Sequence, residues 1–342
     1  MSKKYNYDIL TAKIIMSILV VGIHVFKNNE FINMPEFLVF QGVSRLSVPC
    51  LFVYSAYFFY RKESAFKEKY LSYLSRMGKL MLAWGIITIP YILYSAVYVP
   101  HRDRGYSYIL ILFQNLLSPR VNGFWFLYAC MICPAIIYGL KNHKMFLMAF
   151  SVSYAVLCVF LTSWSFLMPE DVMNVYAQFS ARYVSLFNCT FIGIIYYLMG
   201  EYIATRNSEE LFLFKHRRVG LIISGILFFA EICIVWNCRK YPDTDCYLSL
   251  IPLTYFIVIN TIEGRIGKFR CREFWSASTV VVFIMQFSMI YYIQAFNRRI
   301  GLKLLDNRWV LFILIICIGY LFTAVLLALY KKTKWKLLRY FY

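Results

Sequence analysis

The chain has 342 residues, of which 61% are hydrophobic and 15% charged, and its formal net charge is +19. A soluble domain carries nearer a quarter charged residues, and here the apolar residues gather in long blocks separated by short basic stretches. That distribution excludes a water-soluble two-domain protein, and it reads the positive charge as loop bias beside a membrane, not as a nucleic-acid footprint.

A helix needs about 20 mostly apolar residues to cross a bilayer. In chain order, spans are predicted at 8–26, 46–60, 80–99, 123–140, 145–162, 183–203, 219–236, 247–262, 276–296 and 309–330. The second extends backward through Phe37–Gly42, and the stretch 106–118 reads as interfacial or re-entrant. The apolar run after Asp8 lacks a small-residue cleavage site, so it is read as the first spanning helix and not as a signal peptide. The prediction is an all-α polytopic membrane protein: a bundle of about ten transmembrane helices forming a single domain over residues 1–342. Lys and Arg divide 23 to 12 between alternate loops, which places both termini in the cytoplasm of a cell (inner or plasma) membrane. Many of the 31 Phe, 29 Tyr and 7 Trp lie near span ends, and the tail 331–342 alternates basic and aromatic residues, as a segment lying on the inner membrane surface would. Membrane lipid is therefore an expected partner and nucleic acid is not; the sequence leaves the oligomeric state open.

Most of the ten cysteines lie inside apolar spans, where a thiol acts as a small packing residue. Cys130 and Cys133 form a CxxC within such a run, ahead of Pro134, and are read as packing. Cys238 and Cys246 share one polar loop, which makes them a disulfide candidate if that loop faces an oxidising compartment. There is no P-loop, HExxH or zinc-type cysteine set, and no metal is expected.

Chemistry is sought in ionisable groups inside the spans, because burying them costs several kcal/mol unless they are paired or hydrated. His24 lies near the outer end of the first span, and the other three histidines lie in polar connections. Lys13 precedes it by eleven residues, which on an α-helix is about 20° from the same face and roughly 16 Å along the axis. One face thus carries a cation toward the cytoplasm and an imidazole toward the far side. The plain reading is that each group reaches the nearest headgroups; the sharper one is a single channel touching both. Glu231, within the seventh span, calls for protonation, a cationic partner or a watery cavity.

Several segments in order resemble the acyltransferase-3 family of membrane O-acyltransferases. They are Lys13 and His24 with ten residues between, Arg45 before Val48-Pro49, Gly123-Phe-Trp-Phe-Leu-Tyr, and Tyr196-Tyr-Leu-Met-Gly200. Ala56 replaces the family's usual Gly after Ser55, Phe187 stands before Asn188 where many members have Arg, and Gln286 stands where many have a late His. The resemblance implies transfer of an acyl group, most often acetyl from acetyl-CoA or another acyl-CoA donor, to a hydroxyl of a cell-surface or exported carbohydrate. It casts His24 as the base or acyl-carrying residue. Arg45 would hold a negative group or orient His24, or else meet outer headgroups. Lys13 would face the anionic CoA. Trp125, Asn188, Glu231 and Gln286 are the candidates for substrate contact, with Trp125 alternatively part of the aromatic belt. No esterase-like domain follows the last helix, so direct transfer or a separate partner is expected. The rival readings are a transporter or flippase, with His24, Arg45 and Glu231 lining the path, and a membrane scaffold without catalysis, supported by Phe187 and Gln286.

Overall fold

A computed structural model describes residues 6–26, 33–98, 124–182, 186, 190–239, 244–262, 264 and 270–342. Among these residues every regular element is helical, the only way a lipid-exposed open chain satisfies its own backbone. The helices are α1 (Tyr7–Val25), α2 (Met34–Glu36), α3 (Ser47–Tyr60), α4 (Phe66–Tyr98), α5 (Phe124–Gly139) and α6 (Lys144–Leu161). They continue as α7 (Glu170–Arg182), α8 (Thr190–Ala204), α9 (Arg217–Cys238), α10 (Leu250–Thr261), α11 (Arg272–Ile300) and α12 (Arg308–Thr333).

Six described helical stretches are long and apolar enough to cross a membrane: Tyr7–Val25, Met34–Tyr60, Lys141–Leu161, Phe214–Cys238, Arg272–Ile300 and Arg308–Thr333. Three further apolar helices, α5, α8 and α10, are shorter. The protein is a multi-pass membrane protein. The stretch 106–118 lies outside the described residues.

One predicted boundary holds and another changes. The second span does extend backward: a π-helical turn over Phe37–Gly42 and a 3-10 turn over Val43–Leu46 run directly into α3. Pro49 sits in the first turn of α3, where its missing N–H has no helical partner to lose. The basic stretch 61–79 is not a loop. From Phe66 it is the first half of α4, a 33-residue helix continuous with the predicted third span. Lys, Glu, Leu and Met are good helix formers, and 33 residues extend about 50 Å, well beyond the hydrocarbon core.

The centre of the bundle is the α3–α8 contact, flanked by α1, α5 and α10. Gly200 makes it possible: a side chain there would overlap the Ala56 methyl and come within 2.7 Å of the Val53 carbonyl oxygen. Ala56, the departure from the family's glycine, is thus accommodated by a glycine across the interface. Tyr54 and Tyr197 are fully buried on either side and satisfy their hydroxyls with Thr261 (2.8 Å) and Tyr73 (2.9 Å). In the most apolar 18-residue stretch of each helix, 61% of residues are buried in α1 and 67% in Met34–Tyr60, against 28% in Phe214–Cys238. The α9 surface, with Ile222, Ile226, Leu227 and Phe229 more than half exposed, therefore faces lipid. At the start of α1, Asn6 caps the helix through the Ile9 N–H (3.1 Å) and donates to the carbonyls of Thr261 and Ile262 at the end of α10.

Cys130 and Cys133 are buried free thiols, and the Cys133 thiol donates to the Thr190 carbonyl at 3.5 Å. Cys238 and Cys246 are also free thiols: Cys238 is exposed, whereas Cys246 turns inward beside Cys158, so they do not form the disulfide that the shared loop allowed.

Candidate functional site: a cationic cavity and a small pocket beyond it

The first feature is a cavity of about 710 Å³ between α1, α3, α4, α5, α11 and the C-terminal turn Lys336–Phe341. Six cations line it, Lys13, Lys62, Lys69, Arg76, Lys79 and Arg339, and no carboxylate appears in its lining among the described residues. The helix α4 supplies half of the charge, through Lys69, Arg76 and Lys79. Its residues 69, 72, 73, 76, 79 and 80 all face the cavity, the i, i+3, i+4, i+7 pattern of one helical face. Lys13 comes from α1, lies over the Phe58 ring at 4.7 Å, and is close enough to Arg76 for the two charges to repel. Lys69 lies against the Phe59 and Tyr60 rings at 5.3 and 5.5 Å, and burial lowers its pKa from the ordinary lysine value while Glu201 opposes that shift. Deeper in, the lining becomes apolar: Leu51, Phe126, Leu127, Phe283 and Ile284.

The C-terminal turn closes one side of this cavity. Trp84, completely buried on α4, donates its indole N–H to the Phe341 carbonyl (3.2 Å), and the Tyr340 ring lies under Lys79 at 5.3 Å. The tail is thus folded against α4, with Arg339, Tyr340 and Tyr342 in the lining.

The second feature is a pocket of about 60 Å³ lined by Arg45, Val48, Phe52, Trp125, Asp245 and Ile23, among others. Arg45 pairs with Asp245 and donates to the Gln41 side-chain oxygen. Gln41 in turn donates to the Phe26 carbonyl (2.6 Å), and its own carbonyl accepts from the Tyr247 hydroxyl (2.9 Å). The guanidinium is therefore held between the end of α1 and the segment before α10.

Glu231 acts on that same segment. Its carboxylate accepts from the Trp164 indole (2.8 Å), the Leu248 and Ser249 backbone N–H groups (2.8 Å each) and the Ser249 hydroxyl. Of the surroundings its burial called for, the partners turn out to be neutral donors and not a cation. Glu231 lines neither cavity; it fixes the run 244–249 that presents Asp245 to Arg45.

His24 and Lys13 both face α11. Lys13 shares the cavity with Thr279, Val280, Phe283 and Ile284, and the His24 ring lies 4.2 Å from the Phe287 ring, one turn beyond Phe283. The eleven-residue spacing therefore does what helix geometry requires: one face of α1, two depths of one partner helix. The end of α1 is held by Phe26, stacked on Phe40 at 3.8 Å and edge-on to Trp309. Gln286 is completely buried; its amide donates to the Phe283 carbonyl (2.9 Å), and its side-chain oxygen has no hydrogen-bond partner among the described residues. Trp125 lies beside Phe52 at 6.0 Å in the small pocket. Asn188 and Phe187 lie outside the described residues.

Of the seven candidates, then, Arg45 and Trp125 meet in one pocket and Lys13 lies in the large cavity; His24, Gln286 and Glu231 line neither, His24 touching α11 through Phe287 and Gln286 through the Phe283 carbonyl. Sequence reading missed Asp245, hidden in a short polar loop, and the cavity cations of α4. The latter carried a signal, since Lys69 and Arg76 are seven residues apart and Lys79 follows three later, neighbouring positions on one helical face. Among the described residues no group of three His, Cys, Asp or Glu is placed to hold a metal ion.

A family model described as an acyltransferase domain matches residues 6–339. The chain belongs to this family, the acyltransferase-3 family, and is a membrane acyltransferase by that membership. No curated protein and no solved structure matches it.

Proposed function

We propose that this protein transfers a short acyl group from an acyl-CoA, most simply acetyl-CoA, to a hydroxyl of a carbohydrate at or beyond the cell membrane. In this reading residues 1–342 form one domain of about ten spans with both termini in the cytoplasm, and the cationic cavity opens to the cytoplasmic side.

The observation that carries the proposal is the cavity lining: six cations and no carboxylate beside an apolar inner end. Clustered like charges repel one another, and a polyanion that joins them relieves that repulsion. The diphosphate and 3′-phosphate of CoA are such an anion, and its thioester arm suits the apolar end. Lys13, Lys69 and Arg76 hold the phosphates. His24 serves as general base: it takes the proton from the acceptor hydroxyl as that oxygen attacks the thioester carbonyl. A C–O bond forms, the C–S bond breaks, and the proton passes on to the departing CoA sulfur. Gln286 supports the acceptor, because its buried side-chain oxygen lacks a donor and a sugar hydroxyl is one. Trp125 walls the small pocket beside Phe52. Arg45, neutralised by Asp245, orients the pocket wall instead of binding a free anion.

The test is transfer of radiolabelled acetyl from acetyl-CoA to envelope glycan in membranes with equal amounts of wild type or His24→Ala. Label that appears with wild type and collapses in the variant supports the reading. No label with any acyl-CoA and several glycan acceptors would remove the enzyme claim and leave substrate flux into vesicles as the next assay.

A further inference from the structure

The two cavities meet at a wall of aromatic rings. Phe126 and Phe283 line the large cavity, while Phe52 and Trp125 line the small one. The Phe52 and Phe126 ring centroids are 4.4 Å apart, and those of Phe126 and Phe283 are 4.9 Å apart. Phe52 is completely buried, Phe126 is 6% exposed and Phe283 is 9% exposed. The three rings come from α3, α5 and α11, so the wall joins three separate helices. Phe52 is further fixed by Tyr197 at 6.0 Å, and it occupies space that Gly193 leaves open, since a side chain there would meet Cys133 at 3.1 Å and Phe52 at 3.4 Å. Phe283 also bears on the reacting end. Its carbonyl accepts from Gln286, and one turn on, Phe287 carries the His24 ring.

We infer that Phe52, Phe126 and Phe283 form the end wall of the donor cavity, which limits the protein to short acyl groups and seals the cavity from the Arg45 pocket. The inference rests on the acyl-CoA reading above and adds a specificity device to it. The physical case is one of volume and packing. The cavity, about 710 Å³, lies in the range of about 300–1,000 Å³ that ligands fill, and CoA is larger than most drug-sized ligands, so the wall is what bounds the inner end of its arm. Interlocked aromatic rings resist displacement, because pushing one aside costs its contacts with the others. A two-carbon group stops at the wall; an eight-carbon chain has to pass through it.

The experiment measures dissociation constants of purified protein for CoA, acetyl-CoA and octanoyl-CoA. Wild type is expected to prefer acetyl-CoA to octanoyl-CoA by at least about tenfold, one factor of ten being 1.4 kcal/mol. Phe126→Ala is expected to bring the ratio near one, and the milder Phe283→Leu to move it the same way by less. A ratio that neither variant alters overturns the wall. If wild type binds none of the three ligands, the acyl-CoA reading falls, and the wall is decided by a second readout. A charged thiol reagent is added to sealed vesicles from the Lys13 side, and labelling is compared between Val48→Cys and the same variant with Phe126→Ala and Phe283→Leu. Val48 lines the small pocket. Labelling that rises several-fold only when the rings are cut back supports the seal; equal labelling overturns it.

Discussion

The two cavities treat positive charge in opposite ways. In the small pocket Arg45 is 13% exposed and is matched by Asp245, by Gln41 and, through the Glu231 clamp, by a rigid backbone run. In the large cavity six cations share a lining that holds no carboxylate among the described residues. A buried cation with its counter-ion built in is part of the scaffold, whereas clustered cations without one are a site whose counter-ion arrives from outside. The residue type alone does not separate these roles; the partner does.

The largest way to break the comparison is through the small pocket. Arg45→Ala leaves Asp245 largely buried without its cation, a loss of about 3–5 kcal/mol of stability, while removing both partners costs much less. Thermal unfolding of the two single variants and the double variant in detergent checks this, and a double variant as unstable as the sum of the singles would make the pair inert. Glu231→Ala comes next. It strips the acceptor from part-buried backbone N–H groups at Leu248 and Ser249, worth about 1 kcal/mol each, the lower end of the range for an unsatisfied group. Its expected signature is lower stability with unchanged CoA affinity, since Glu231 lines neither cavity.

The smaller effects sharpen the large cavity. Donor affinity should weaken as salt rises, because exposed charges are screened over about 8–10 Å, while the stability contributed by Arg45–Asp245 should change little. The pH dependence has a definite sign. Burial lowers the pKa of Lys69, so it loses its proton at a lower pH than an exposed lysine. CoA binding, which requires the charge, should then weaken on the alkaline side earlier in wild type than in Lys69→Arg. Titrations across pH and salt give both answers.

How much of this was legible in the sequence depends on what each feature needs. Helicity, most spans and the shared face of Lys13 and His24 follow from apolar runs and helix periodicity, which are local. The Ala56 substitution was visible, but its consequence was not, because Gly200 lies far away in the chain. The partners of Arg45 and Glu231 were also hidden: Asp245 and Ser249 are distant in sequence, and nothing in a short polar loop marks which side chain turns inward. The cations of α4 looked like a cytoplasmic loop because charge count was read without periodicity. On the helix, Lys69, Arg76 and Lys79 share the one face that lines the cavity.

The most direct measurement is steady-state acetyl transfer by wild type, Arg76→Glu and His24→Ala over a wide range of acetyl-CoA. The expected result is a split: Arg76→Glu raises KM for acetyl-CoA by about tenfold or more, the scale of losing one charged hydrogen bond, with kcat near wild type. His24→Ala loses kcat by about 10²–10⁴-fold, the scale of general acid–base catalysis, with KM nearly unchanged. Loss of kcat in Arg76→Glu without a change in KM, or wild-type kcat in His24→Ala, would contradict the assignment of binding to the cationic cavity and chemistry to the histidine.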